Sequence, residues 1–110
     1  MEAILKHAAF LSLLNTARNY QRELLIRTAT NEQLKVLCEI LLNIVKGNIS
    51  LAEKDIKLIQ KKSDIVRALL RKTTSKRNKR RLFQTNSDLV KIIARGIAQL
   101  LPSVFSNNDL

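Results

Sequence analysis

Apolar residues recur three and four apart along most of the chain, the spacing of one buried helix face. Residues 3–14 hold Ile4, Leu5, Phe10, Leu11, Leu13 and Leu14, enough to cover more than one face. A helix that apolar is expected inside a bundle or against a partner. The pattern weakens over residues 15–19 and resumes at Tyr20, Leu24 and Leu25. Thr30 with Gln33 forms a capping box, in which each residue satisfies the other's backbone N–H. It opens a helix carrying Leu34, Leu37, Cys38, Leu41, Leu42 and Val45, which Lys46-Gly47-Asn48 ends because glycine takes the left-handed conformation at a helix C-terminus.

Ser50-Leu51-Ala52-Glu53 has the spacing of a second capping box and predicts a helix–turn–helix corner around Gly47. The helix it opens turns Ile56, Ile59 and Leu58 inward and Lys54, Lys57, Lys61 and Lys62 outward. Ser63-Asp64 breaks or kinks it before Ile65, Val66, Leu69 and Leu70 continue the apolar face. Ser75 is placed to cap a short helix over 76–84, and Ser87 another from Asp88 to Leu101 that Pro102 stops.

These elements predict an all-α fold, a compact bundle of five or six short helices without strands. Residues 1–72 are the expected scaffold, 73–86 a basic segment, 87–102 a C-terminal amphipathic helix packing on the scaffold, and 103–110 a frayed tail of the same single domain. Composition agrees with folding: 45% of the 110 residues are hydrophobic, too many for a disordered basic tail. Two Gly and one Pro leave few turn residues for a sheet protein.

Charge changes the picture more than composition does. Twenty Lys+Arg against nine Asp+Glu give a net charge of +11. Residues 1–66 contribute +3 and residues 82–110 nothing, so +8 lies in residues 67–81. There Arg67, Arg71, Lys72, Lys76, Arg77, Lys79, Arg80 and Arg81 stand without one carboxylate. Such a block repels itself until a polyanion neutralises it. Nucleic acid uses all eight cations, and double-stranded DNA is the expected form. A nuclear-import signal uses only the run from Lys76 to Arg81. With four aromatic residues and no Trp, the chain lacks platforms for stacking single-stranded bases. No base-reading motif stands out, so the expected contact is with phosphates. Six to eight such contacts predict a slope of log affinity against log salt of about −5 to −7.

Catalysis is not expected. His7 and Cys38 are the single His and Cys, thirty-one positions apart in apolar stretches, which excludes an intrachain disulfide and gives no zinc-ligand spacing. No Gly-rich phosphate loop, HExxH or GxSxG occurs, and no metal or cofactor is implied. Lys6, His7 and Glu2 spoil the resemblance of residues 3–14 to a secretory signal, and no uncharged apolar run is long enough to span a bilayer. A surface-lying helix is a rival: residues 89–104 put Leu89, Ile93 and Leu100 on one face with Ile97 beside them, opposite Lys91, Arg95 and Gln99. The expected use of that face is to close the bundle or a homo-oligomer interface, where Ala94, Gly96 and Ala98 permit close approach.

Residues 34–84, with LCEILLNIVKGNISL, then KLIQKK, VRALLRKTTSKRNKRRLFQ and a hydrophobic C-terminal segment, resemble a small basic protein of adintoviruses, the Polinton/Maverick-type animal viruses. The upstream NYQRELLIRTATNEQ fits the same pattern. The resemblance implies a virion core protein comparable to the adenoviral X (mu) peptide, which helps condense the packaged genome, and hence location in the virion and host nucleus. It carries over to Arg71, Lys72, Lys76, Arg77, Lys79, Arg80 and Arg81. The chain departs from the family where Thr85-Asn86-Ser87 replace the usual Gly-Gly, the site on which a maturation cleavage would depend. The expected function is therefore sequence-independent DNA binding through the Lys/Arg block. The alternatives are a helical protein–protein adaptor with an import signal, or a membrane-active amphipathic helix.

Overall fold

Thr30 accepts a hydrogen bond on its side chain from the Gln33 N–H at 3.1 Å, while the Gln33 carboxamide accepts from the Thr30 N–H at 2.9 Å. The predicted capping box thus starts the longest fully described helix of the computed structural model, which describes the backbone of residues 2–108 and the side chains of residues 2–100. The elements are α1 (Glu2–Lys6), α2 (Ala8–Thr16), α3 (Asn19–Thr28), α4 (Asn31–Val45), α5 (Glu53–Lys61), α6 (Ser63–Leu70), α7 (Lys76–Thr85) and α8 (Ser87–Asn108). None of the described residues forms a strand. The radius of gyration is 13.2 Å, matching the about 13 Å of a compact domain this long.

The described residues form eight helices, not the five or six expected, because two predicted helices are each divided by one residue. His7 (φ −107°, ψ 23°) separates α1 from α2, and Lys62 (φ −101°, ψ 27°) separates α5 from α6. Hydrogen bonding runs on through both bends: the His7 and Lys62 N–H groups still donate to Ala3 and Leu58, and their carbonyls accept from Leu11 and Val66. Each bend re-aims a short apolar helix without orphaning its ends. At the second, the Lys62 ammonium donates to Asn86 at 3.0 Å and Asp88 at 2.6 Å, which ties the α5–α6 corner to the start of α8. Burial works to raise the Asp88 carboxyl, but that hydrogen bond, the Leu89 N–H and the Lys62 charge together hold it below the usual carboxylate range.

Other expectations are corrected at the termini of helices. Gly47 (φ +80°) closes α4 in a Schellman motif, with its N–H on the Ile44 carbonyl and the Asn48 N–H on the Asn43 carbonyl. Ser50, by contrast, caps nothing: α5 begins at Glu53 after extended Ala52, and the Ser50 carbonyl accepts from the Gln99 side chain. Ile49 is buried, and the helix starts two residues too late for Ser50 to be its N-cap. Pro102 does not stop α8, which runs to Asn108, so the expected frayed tail is helical as far as that residue.

α8 is the axis of the fold. Leu89, Val90, Ile92, Ile93, Ala94 and Ile97 are buried over rather more than half its circumference, and it packs against α2, α3, α4 and α7. A Cβ at Gly96 would lie 3.2 Å from the Ile44 side chain, so the small residue lets α8 approach α4 closely. α4 contributes Leu34, Val36, Leu37, Cys38, Ile40, Leu41 and Ile44, while Leu42 and Val45, expected inside, are exposed. Tyr20, Leu24 and Ile56 are likewise exposed where the periodicity put them inward. Asp55, at 4% exposure, meets Arg95 at 2.6 Å and joins α5 to α8.

Candidate nucleic-acid interface

The basic block folds into a corner between two helices. Arg71 turns extended and ends α6, the Thr74 N–H closes a turn on the Arg71 carbonyl at 3.3 Å, and Ser75 caps α7 by accepting from the Asn78 N–H at 3.1 Å. α6 and α7 pack on one another, and α4 lies against both. Val66 and Leu69 of α6 and Phe83 of α7 anchor the corner in the core.

Six of the eight predicted cations stand in solvent on this corner: Arg67, Arg71, Lys72, Lys76, Arg77 and Arg81. Arg67 has a loose partner in Asp64 at 3.9 Å. The other five have no salt bridge among the described residues. α7 also opens on Lys76 and Arg77 with no acidic residue in its first turn. Its N-terminal dipole and these side chains are therefore of one sign, a repulsion of about 0.3–1 kcal/mol per charge that an anion there would reverse.

Lys79 and Arg80 are turned inward instead. Lys79 is 8% exposed, one turn before Phe83, its stem covering apolar surface as long cationic side chains do. Burial pushes the Cys38 thiol up, against the opposing pull of the Lys79 and Lys76 charges. Arg80 donates from one guanidinium nitrogen to the carbonyls of Ile26 (2.9 Å), Ala29 (2.7 Å) and Arg27 (3.2 Å). It thus satisfies the orphan end of α3 with a cation at the negative pole of that helix. Arg22 does the same for α2 through the Leu14 and Asn15 carbonyls. Arg80→Met should cost about 2 kcal/mol of stability, as expected when a charged donor leaves buried carbonyls unpaired. Urea unfolding measures it, and an unchanged midpoint would show that Arg80 is no staple.

Arg80 also brings exposed Arg27 of α3 beside α7, a cation that charge counting along the chain passes over. Asn78, Gln84 and Thr85 join the exposed side of α7. Their only sequence signal is their register with Arg77 and Arg81.

The residues considered for a membrane or self-association face lie elsewhere. Leu89, Ile93 and Ile97 are fully buried and Leu100 packs half-buried on the core. Among the described residues no helix is long and apolar enough to cross a membrane, and no cluster of His, Cys, Asp or Glu is suited to a metal. An open apolar groove runs between the C-terminal end of α4 and α5, lined by Val45, Ile49, Leu51, Ile56 and Ile59. No protein-family profile, curated protein or solved structure matches the chain.

Proposed function

We propose that this protein binds double-stranded DNA through its phosphates, largely without regard to sequence, using the α6–α7 corner. The observation that carries the proposal is the set of five exposed cations without carboxylate partners among the described residues, Arg71, Lys72, Lys76, Arg77 and Arg81, gathered around the start of a helix that has no acid in its first turn. Arg67 and Arg27 extend the set on either side. Phosphate relieves both the mutual repulsion of these charges and their conflict with the helix dipole. Lys79 and Arg80 serve the same surface indirectly by fixing α7 to α4 and α3. The resemblance to adintoviral basic proteins supports a packaged genome as the polyanion, with condensation in a virion core and passage through the nucleus as the setting. Because Leu89, Ile93 and Ile97 are used up inside the bundle, bridging between DNA segments falls to other surfaces, such as the apolar groove beside α5.

Fluorescence anisotropy with a labelled duplex tests the proposal. Seven phosphate contacts give a slope of log affinity against log salt of about −6. An affinity that hardly changes between low and physiological salt, or no binding at low salt, would refute it.

A further inference from the structure

The exposed side of α7 is more than a row of charges. At 100° per residue, Gln84, Arg77, Arg81, Thr85 and Asn78 fall in that order within a stripe about 120° wide. All five are exposed, and none is acidic. The opposite side of the helix is occupied by Lys79 and Phe83, both buried, with Leu82 partly so and Arg80 bound to α3. α7 is thus held along its inner side while its polar stripe is free along its length.

Two amides, Gln84 and Asn78, stand at the two edges of this stripe and flank Arg77 and Arg81. Arginine paired to guanine and asparagine or glutamine paired to adenine are the side chains that reach base edges in the major groove. The groove is about 12 Å wide, and a helix with its side chains about 10–12 Å across, so one helix fits. The corner supplies the remaining geometry of a helix-turn-helix: a first helix, α6, that packs on the second, and cations flanking the second. Arg67, Arg71 and Lys72 are exposed at the turn end of α7, and the backbone of exposed Arg27 in α3 accepts a hydrogen bond from Arg80 of α7. Glu23 of α3, which shares a small pocket with Gln84, marks the end of the stripe by its charge.

We propose that α7 lies in the major groove of duplex DNA, with Asn78 and Gln84 against base edges and Arg77, Arg81 and the neighbouring cations on the phosphates. The placement rests on the DNA binding proposed above and adds to it a groove and a contribution from uncharged side chains.

Two measurements on the full chain test it. The first compares a duplex with the same duplex carrying glucosylated 5-hydroxymethylcytosine, which fills the major groove and leaves the phosphates in place. Binding to the filled duplex is expected to be weaker by about tenfold or more, the worth of one lost bidentate base contact. Equal affinity for the two would overturn groove entry while leaving phosphate binding intact. Binding to neither would overturn the DNA-binding proposal and this one with it. The second measures Asn78→Ala together with Gln84→Ala, an exposed and uncharged pair whose replacement leaves the fold intact, as thermal melting checks. An affinity about tenfold lower at an unchanged salt slope is expected for lost base contacts. Unchanged affinity would show that α7 lies on the backbone.

Discussion

Replacing Arg71, Lys72, Lys76, Arg77 and Arg81 with glutamine is expected to weaken duplex binding by about 10³–10⁴-fold at physiological salt, since each lost phosphate contact removes about 0.9 from the salt slope. The slope itself should fall to about −2, the share left to Arg67 and Arg27. Stability should stay level or rise, because the five side chains are exposed, lack salt bridges among the described residues, and two of them oppose the dipole of α7. Anisotropy and thermal melting on one preparation check both halves. A variant that keeps its affinity would place the polyanion site elsewhere. The contrast with Arg80→Met is informative: that change should lower the melting temperature and leave the salt slope alone, because Arg80 spends its charge on the α3 carbonyls.

Ile93→Asp should abolish the fold. Ile93 is fully buried at the centre of α8, with its neighbours Leu89 and Ile97 equally enclosed. The substitution forfeits about 1.5–3 kcal/mol of side-chain burial. It also puts an unpaired carboxylate among aliphatic groups, at an effective cost of several kcal/mol. Together these approach or exceed the about 5–15 kcal/mol that holds a domain of ordinary stability. Circular dichroism should show loss of the cooperative melt. A folded Ile93→Asp protein would mean that α8 is not the axis of the bundle. The same burial decides how a membrane role can be tested: with Ile93 inside, its substitution reports on folding before it reports on lipid.

Legibility of the fold varied with how local its cause was. Thr30, Gln33, Gly47 and Ser75 act on residues within a few positions, and each terminates or starts a helix as its spacing predicts. The inward residues Leu34, Leu37, Cys38 and Leu41 follow the same logic. Where a helix is apolar on most sides, periodicity loses its power to choose: Val36, Ile40 and Ile44 are buried in α4 while Leu42 and Val45 are not. Neither bend has Gly or Pro at it: the one at His7 goes unannounced, while the one at Lys62 falls beside the break or kink expected at Ser63-Asp64. The second is held by Asn86 and Asp88, more than twenty positions on. The candidate site shows the same division. Its location was written in the charge count, but Lys79 and Arg80 look identical to their neighbours along the chain. The carbonyls of Ile26 and Ala29, fifty-four and fifty-one positions from Arg80, are what turn it away from the exposed cations.

The position of α8 bears on the order in which the molecule is assembled during synthesis. The most extensive helix–helix contact in the bundle joins α2 to α8, two elements far apart along the chain. Such distant pairing carries a large loop-closure cost, which slows folding relative to bundles built from neighbours. A nascent chain that has reached α7 already displays its full cationic corner, yet lacks Leu89, Val90, Ile92, Ile93 and Ile97 for its core. It is then at once able to attract polyanions and prone to aggregate. Truncations ending before Ser87 are therefore poor candidates for a minimal working fragment, and the addition of α8 turns a sticky basic chain into a folded one.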